Sequence, residues 1–153
     1  MSMVGNLVAV RPEQLQSFIA DPTLIESFLY PEDGETEPEN HIDLDKAWHA
    51  IHFTLNGKTW EGEEPLVLTI LGGEEVGEDI GYGPVRFLTP QQVNAVSAAL
   101  SAVAPETFAG QFNHSALAAA EIYPDIWEDE GTESLEYVQP FYNDLRDFYM
   151  TAS

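Results

Sequence analysis

An α+β fold, a single compact domain that is mostly helical with a small β-sheet, is what this chain predicts, and three observations predict it. From Asp43 to Phe53, ended by Asn56-Gly57, the residues Leu44, Trp48, Ile51 and Leu55 recur at the spacing of one buried helical stripe. Thr89-Pro90-Gln91-Gln92 combines an N-cap threonine, a proline in the first turn and a glutamine three residues after the cap, which together satisfy the free amides of a helix start. Val4 to Val10 and Val85 to Leu88 are short β-branched and aliphatic runs that suit strands.

In order along the chain, the strand at Val4 to Val10 ends at Arg11-Pro12 and runs into a helix with Leu15, Phe18 and Ile19 on its apolar face. Asp21-Pro22 reads as an N-cap followed by proline, opening a short helix through Leu24, Ile25, Phe28 and Leu29 that Pro31 terminates. Gly34 and Pro38 make 31–41 a loop. Helical register returns at Asp43 and stops at Gly57. The run Leu66 to Leu71 is too short for periodicity to separate a buried helix from a buried strand. Glycines 72, 73, 77, 81 and 83 make a turn region before the strand at Val85. Helices are expected from Thr89 to Ala102, Pro105 to Phe112 and His114 to Glu121. Leu135, Val138, Tyr142, Leu145 and Tyr149 mark a C-terminal amphipathic helix that Pro140 should kink or break.

The 153 residues suit one domain, spanning 1–153, and can bury a core. With 44% hydrophobic and 11% aromatic residues the chain is too apolar for a disordered acidic tail, so its formal charge of -22 belongs to a folded surface. Most of the 27 acids fall in three blocks, Glu32 to Asp45, Glu61 to Asp79 and Glu121 to Glu136, against five lysines and arginines. Such a surface repels phosphate backbones and anionic lipid and attracts a basic protein; the expected partners therefore exclude nucleic acid and membrane. Acids also serve solubility alone. There is no cysteine, which removes disulfides and thiolate metal sites. Met1 to Gly5 lacks the basic flank and apolar run of a signal peptide, and no apolar stretch approaches a membrane span, so a cytoplasmic location is expected. Nothing specifies an oligomeric state.

Chemistry-bearing residues concentrate in two places. On the central helix Asp45, His49 and His52 share one flank beside the apolar stripe, where an acid could orient one imidazole and the other could bind a ligand or move a proton. The bland alternative packs His52 at the core edge and leaves Asp45 and His49 solvated. Two histidines three apart with an aspartate are at most part of a metal site, and the helical zinc motif uses a spacing of four, so no metal is expected. The glycine-rich segment 72–86 offers Asp79, Tyr82 and Arg86. It lacks the lysine-serine/threonine ending of a nucleotide loop, and its acids would oppose a phosphate; the bland alternative is an arginine that neutralises a nearby carboxylate. No cofactor fingerprint, EF-hand spacing or nucleophile elbow is present, and no cofactor is expected.

Met3-Val4-Gly5, Asp43-Leu44-Asp45-Lys46-Ala47-Trp48 with Ile51-His52-Phe53 and Asn56-Gly57, Gly77-Glu78-Asp79 with Gly81-Tyr82-Gly83-Pro84 and Arg86, and Glu121-Ile122-Tyr123-Pro124 follow one another in an order that resembles the bacterial YfbM-like family, a domain family of unknown function. The resemblance implies a single α+β domain in a bacterial cytoplasm and carries over no catalytic or binding residue. The acidic blocks and Pro140 look particular to this member.

Three functions are in view. A small-ligand binding or interaction module would line its pocket with Trp48, His52, Tyr82 and Arg86, with Asp45 and Asp79 as orienting acids, and would suit a small anionic or aromatic ligand. An acidic immunity-type inhibitor would use the carboxylate blocks to steer toward a basic protein. An enzyme would use His52 as general base, oriented by Asp79 or Asp45.

Overall fold

The computed structural model describes residues 6–25, 41–76, 85–123, 127 and 133–152, and within them proline and glycine punctuate the chain much as expected. Strand β1 (Asn6–Val8) leads into helix α1 (Pro12–Ala20), whose first turn accepts proline because an N–H there has no intrahelical partner. Gln14 takes the free Arg11 amide at 3.1 Å. Asp21 accepts the Thr23 amide at 3.2 Å and residues 23–25 are helical. The remainder of that expected helix and the acidic residues 31–40 lie outside the described residues.

Strand β2 (His41–Asp43) pairs antiparallel with β1, Leu7 opposite Ile42. The helical register expected from Asp43 therefore starts later: a 3-10 turn (Asp45–Ala47) intervenes before helix α2 (Trp48–Asn56). Asp45 has φ 49°, a left-handed conformation that no α-helix contains and that aspartate tolerates better than most residues. The Asp43 carboxylate accepts its amide at 2.7 Å and so holds the turn. Leu44 and Ala47 are nonetheless fully buried, which is why the stripe looked continuous in the sequence. Gly57, at φ 72°, ends α2 and donates its amide to Phe53 at 2.7 Å.

The undecided run Leu66 to Leu71 is a turn followed by the short helix α3 (Leu68–Leu71). Strands β3 (Glu74–Val76) and β4 (Val85–Phe87) pair antiparallel with Glu75 opposite Arg86. Helix α4 (Pro90–Ser101) starts with the expected reciprocal cap: Thr89 Oγ1 accepts the Gln92 amide at 3.2 Å and Gln92 Oε1 accepts the Thr89 amide at 2.9 Å. Helices α5 (Pro105–Gln111), α6 (His114–Ala119) and α7 (Glu133–Ala152) follow. Pro140 does not break α7. It sits on the exposed face, where water can serve the Glu136 carbonyl left without a partner, and the buried stripe Val138, Tyr142, Leu145 and Tyr149 passes on the other side.

Helix α7 organises the core, packing against α4, α5, α2, β2 and the 3-10 turn. Phe108 stacks on Tyr142 with ring centres 4.0 Å apart and planes within 5°. Buried polar groups need partners. Accordingly Tyr142 donates to the Val103 carbonyl at 2.6 Å, Tyr149 to Thr69 at 2.7 Å, and the Trp127 indole to Ile122 at 2.8 Å. Arg146 reaches the last carbonyls of α4, Leu100 at 2.9 Å and Ser101 at 3.2 Å, where a cation also meets the negative end of the helix dipole. Of the stripe expected on α2, Leu44 and Ile51 are fully buried, whereas Trp48 and Leu55 are half-buried at the edge of the core. Among the described residues no helix is long and apolar enough to cross a membrane.

Candidate interaction site

The spacing of three between His49 and His52 puts both imidazoles on one flank of α2, as the sequence suggested, but both are buried. They fasten the irregular segment 57–63 that follows the helix. The Nε2–H of His49 donates to the Thr59 carbonyl at 2.9 Å, and that of His52 to the Glu61 carbonyl at 3.1 Å. Alternate residues of the loop thus meet histidines three positions apart on the helix.

The tautomers follow from the second nitrogen of each ring. Nδ1 of His49 accepts the backbone N–H of Tyr123 at 3.0 Å, and because an amide can only donate, that nitrogen carries no proton. Nδ1 of His52 accepts from the Asn56 side-chain amide at 3.3 Å, and the same amide group donates to the His52 carbonyl at 3.0 Å. Burial pushes the pKa of His49 below the ordinary histidine value, with the Thr59 carbonyl acting the other way. Burial also lowers that of His52, opposed by the Glu61 carbonyl and reinforced by neighbouring His49. Both rings are thus structural pins, and His49, whose Nδ1 accepts an amide, is neutral. The bland expectation for this helix is half right: His52 is a satisfied core-edge histidine, but His49 is not solvated.

Around His49 three rings gather. The Trp60 ring lies 4.4 Å from the imidazole at 27°, Trp48 lies 5.0 Å from it at 15°, and the two indoles are 6.1 Å apart. Tyr123 stacks on Trp48 at 5.8 Å. The cluster runs from the 2% exposed His49 out to Trp60, which is 56% exposed. The acids Glu61, Glu63, Glu64 and Glu121 on the same two segments are all exposed, as is Lys58.

Of the residues singled out in the sequence, Asp45, Trp48 and His52 occupy one stretch of chain with different duties. Asp45 accepts the Tyr137 hydroxyl at 2.8 Å, and that hydroxyl accepts the Lys46 amide at 3.2 Å, tying the 3-10 turn to α7. His52 gives both ring nitrogens to the protein. Arg86 is exposed on β4 and pairs with Glu75 across the hairpin at 3.1 Å, the neutralising role weighed for it above. Asp79 and Tyr82 lie outside the described residues. Among the described residues, neither His52 nor Arg86 has a hydrogen bond that links it to the other's surroundings. Among the described residues no three His, Asp or Glu side chains converge as a metal would require. The sequence pointed to His49 as a flank residue and to Tyr123 only within a family motif, and it passed over Trp60; a tryptophan in a short acidic segment directly after a glycine-stopped helix was the readable sign of it.

Fold and site define a small α+β domain with a histidine-fastened aromatic cluster at its surface. The chain belongs to the family described as a domain of unknown function, DUF1877, whose model matches residues 1–153. Its fold is similar to the crystal structure of a protein of unknown function, YfbM, from Escherichia coli, with 22% identity and a TM-score of 0.66 over 98% of this chain and 95% of that one. The YfbM-like character expected from the motifs is therefore established. No curated protein matches the chain.

Proposed function

We propose that this domain is an interaction module whose contact surface centres on Trp60. The observation that carries this reading is an indole more than half exposed yet backed by a ring that two hydrogen bonds hold still. Isolated exposed apolar residues need no explanation. Trp60 differs because its segment is fastened to α2 at two points, so the ring is presented in one orientation with little ordering entropy left to lose on binding. Tryptophan is also the residue that most often dominates binding energy at protein interfaces. Trp48, named from the sequence as a pocket residue, is part of this surface. A general base at His52 receives no support, since both its nitrogens are engaged.

Selection of a random peptide library on the wild-type domain, with counter-selection on Trp60→Ala, tests the reading. Enriched peptides should bind the wild type and lose affinity for the variant. Peptides that bind both equally, or no enrichment, would set the module reading aside.

A further inference from the structure

We infer that the Trp60 surface takes a cation, and specifically the arginine side chains of a basic protein segment; this deepens the interaction-module reading and rests on it. The face of an indole is the negative end of its quadrupole and attracts a guanidinium stacked upon it. In many proteins that attraction is spent on an internal cation. Here the ring behind Trp60 is a histidine whose Nδ1 is committed to accepting the Tyr123 amide, so the imidazole carries no charge that would oppose an approaching cation.

The charges around the indole point the same way. Glu61 and Glu63 follow Trp60 in the fastened segment, Glu64 comes directly after it and Glu121 stands two residues before Tyr123, all exposed, with Lys58 as the opposing cation on these segments. A guanidinium stacked on Trp60 has exposed carboxylates on the residues that follow it in the chain to receive its N–H groups. At longer range a chain of formal charge -22 draws basic segments toward its surface and repels acidic ones. Arginine fits better than lysine because its planar group stacks on the indole and forks to a carboxylate at once, whereas an ammonium does one or the other. Nucleic acid and anionic lipid are opposed by the same charges that favour this partner.

The test uses an arginine-rich hexapeptide and its twin with citrulline at every arginine, which keeps the planar shape and removes the charge, titrated against the whole chain near physiological salt. The arginine peptide should bind, the twin should not, and Trp60→Ala and Trp60→Leu should each weaken binding by roughly two- to fivefold, the scale of one exposed cation–π contact. Trp60→Leu keeps an apolar cover over His49, so a loss common to both folded variants belongs to the π face. Replacing Glu61, Glu63 and Glu64 by glutamine should flatten the salt dependence while leaving the effect of Trp60 in place. Equal affinity for wild type and both Trp60 variants would overturn the inference, because general charge attraction would then account for binding. So would equal binding of the citrulline twin. Library peptides that depend on Trp60 but carry no cation would overturn it too, and would leave the interaction module standing.

Discussion

Because Nδ1 of His49 receives a backbone amide, protonating that nitrogen would set two N–H groups against each other as well as place a charge in a buried site. The folded-state pKa is depressed, so the unfolded chain binds the proton more readily than the folded one. The stabilisation is then fully present above the unfolded histidine value of roughly 6.5 and is lost as pH falls toward the lower folded value. Denaturant midpoints measured from about pH 8 down to about pH 5.5 should fall on acidification; below that window protonating carboxylates relieve repulsion and mask the effect. His49→Leu keeps the bulk but leaves the Thr59 carbonyl and the Tyr123 amide unpaired, at a cost of about 2 kcal/mol in a urea melt at neutral pH. It should also flatten the pH dependence. A variant that melts with the wild-type slope in pH would show that His49 is not the titrating pin. His52 is more adaptable, since Asn56 can turn its amide and offer an oxygen to a protonated ring.

Segment 57–63 and helix α7 carry predictions at the scale of elements. A Cβ at Gly62 would overlap the Asn56 side-chain amide, the group that also holds His52. Gly62→Ala should therefore destabilise by roughly 1–3 kcal/mol through overpacking. Adding Asn56→Ala should recover part of that loss in a double-mutant cycle, because the second change removes the overlap; strictly additive losses would place the strain elsewhere. In α7 the exposed Pro140 withholds one helical hydrogen bond, and Pro140→Ala restores it. The expected gain is about 1–3 kcal/mol, less than or equal to the full proline penalty in a helix interior, and it should appear as a higher Tm. Of the kink or break expected at Pro140, the break does not occur because local propensity competes with a whole buried stripe, and Val138, Tyr142, Leu145 and Tyr149 outweigh one lost bond. The same competition explains α2: the stripe was legible, but the left-handed Asp45 that delays the helix leaves no trace in hydrophobic spacing.

For the molecule as a whole, caps and periodicity made the helical α+β class readable, since Thr89 with Gln92, proline-led starts and Gly57 act locally. The site was less readable. Its parts come from residues 48–52, 59–61 and 123, and the bond between the Tyr123 amide and His49 spans 74 positions that no local pattern links. What the sequence does declare globally is charge, and the last prediction belongs there. A formal charge of -22 on a folded chain repels itself, and unfolding relieves that repulsion by spreading the charges apart. Among the described residues the ion pair is Arg86 with Glu75, both exposed, so added salt screens many repulsions and little attraction. Raising sodium chloride from about 0.01 M to about 0.3 M shortens the screening length from roughly 30 Å to less than 10 Å. Chemical denaturation in urea, which adds no ions of its own, should then give a midpoint that rises with salt. A midpoint that falls would mean that attractive pairs, not repulsion between the acidic blocks, dominate the electrostatics of the fold.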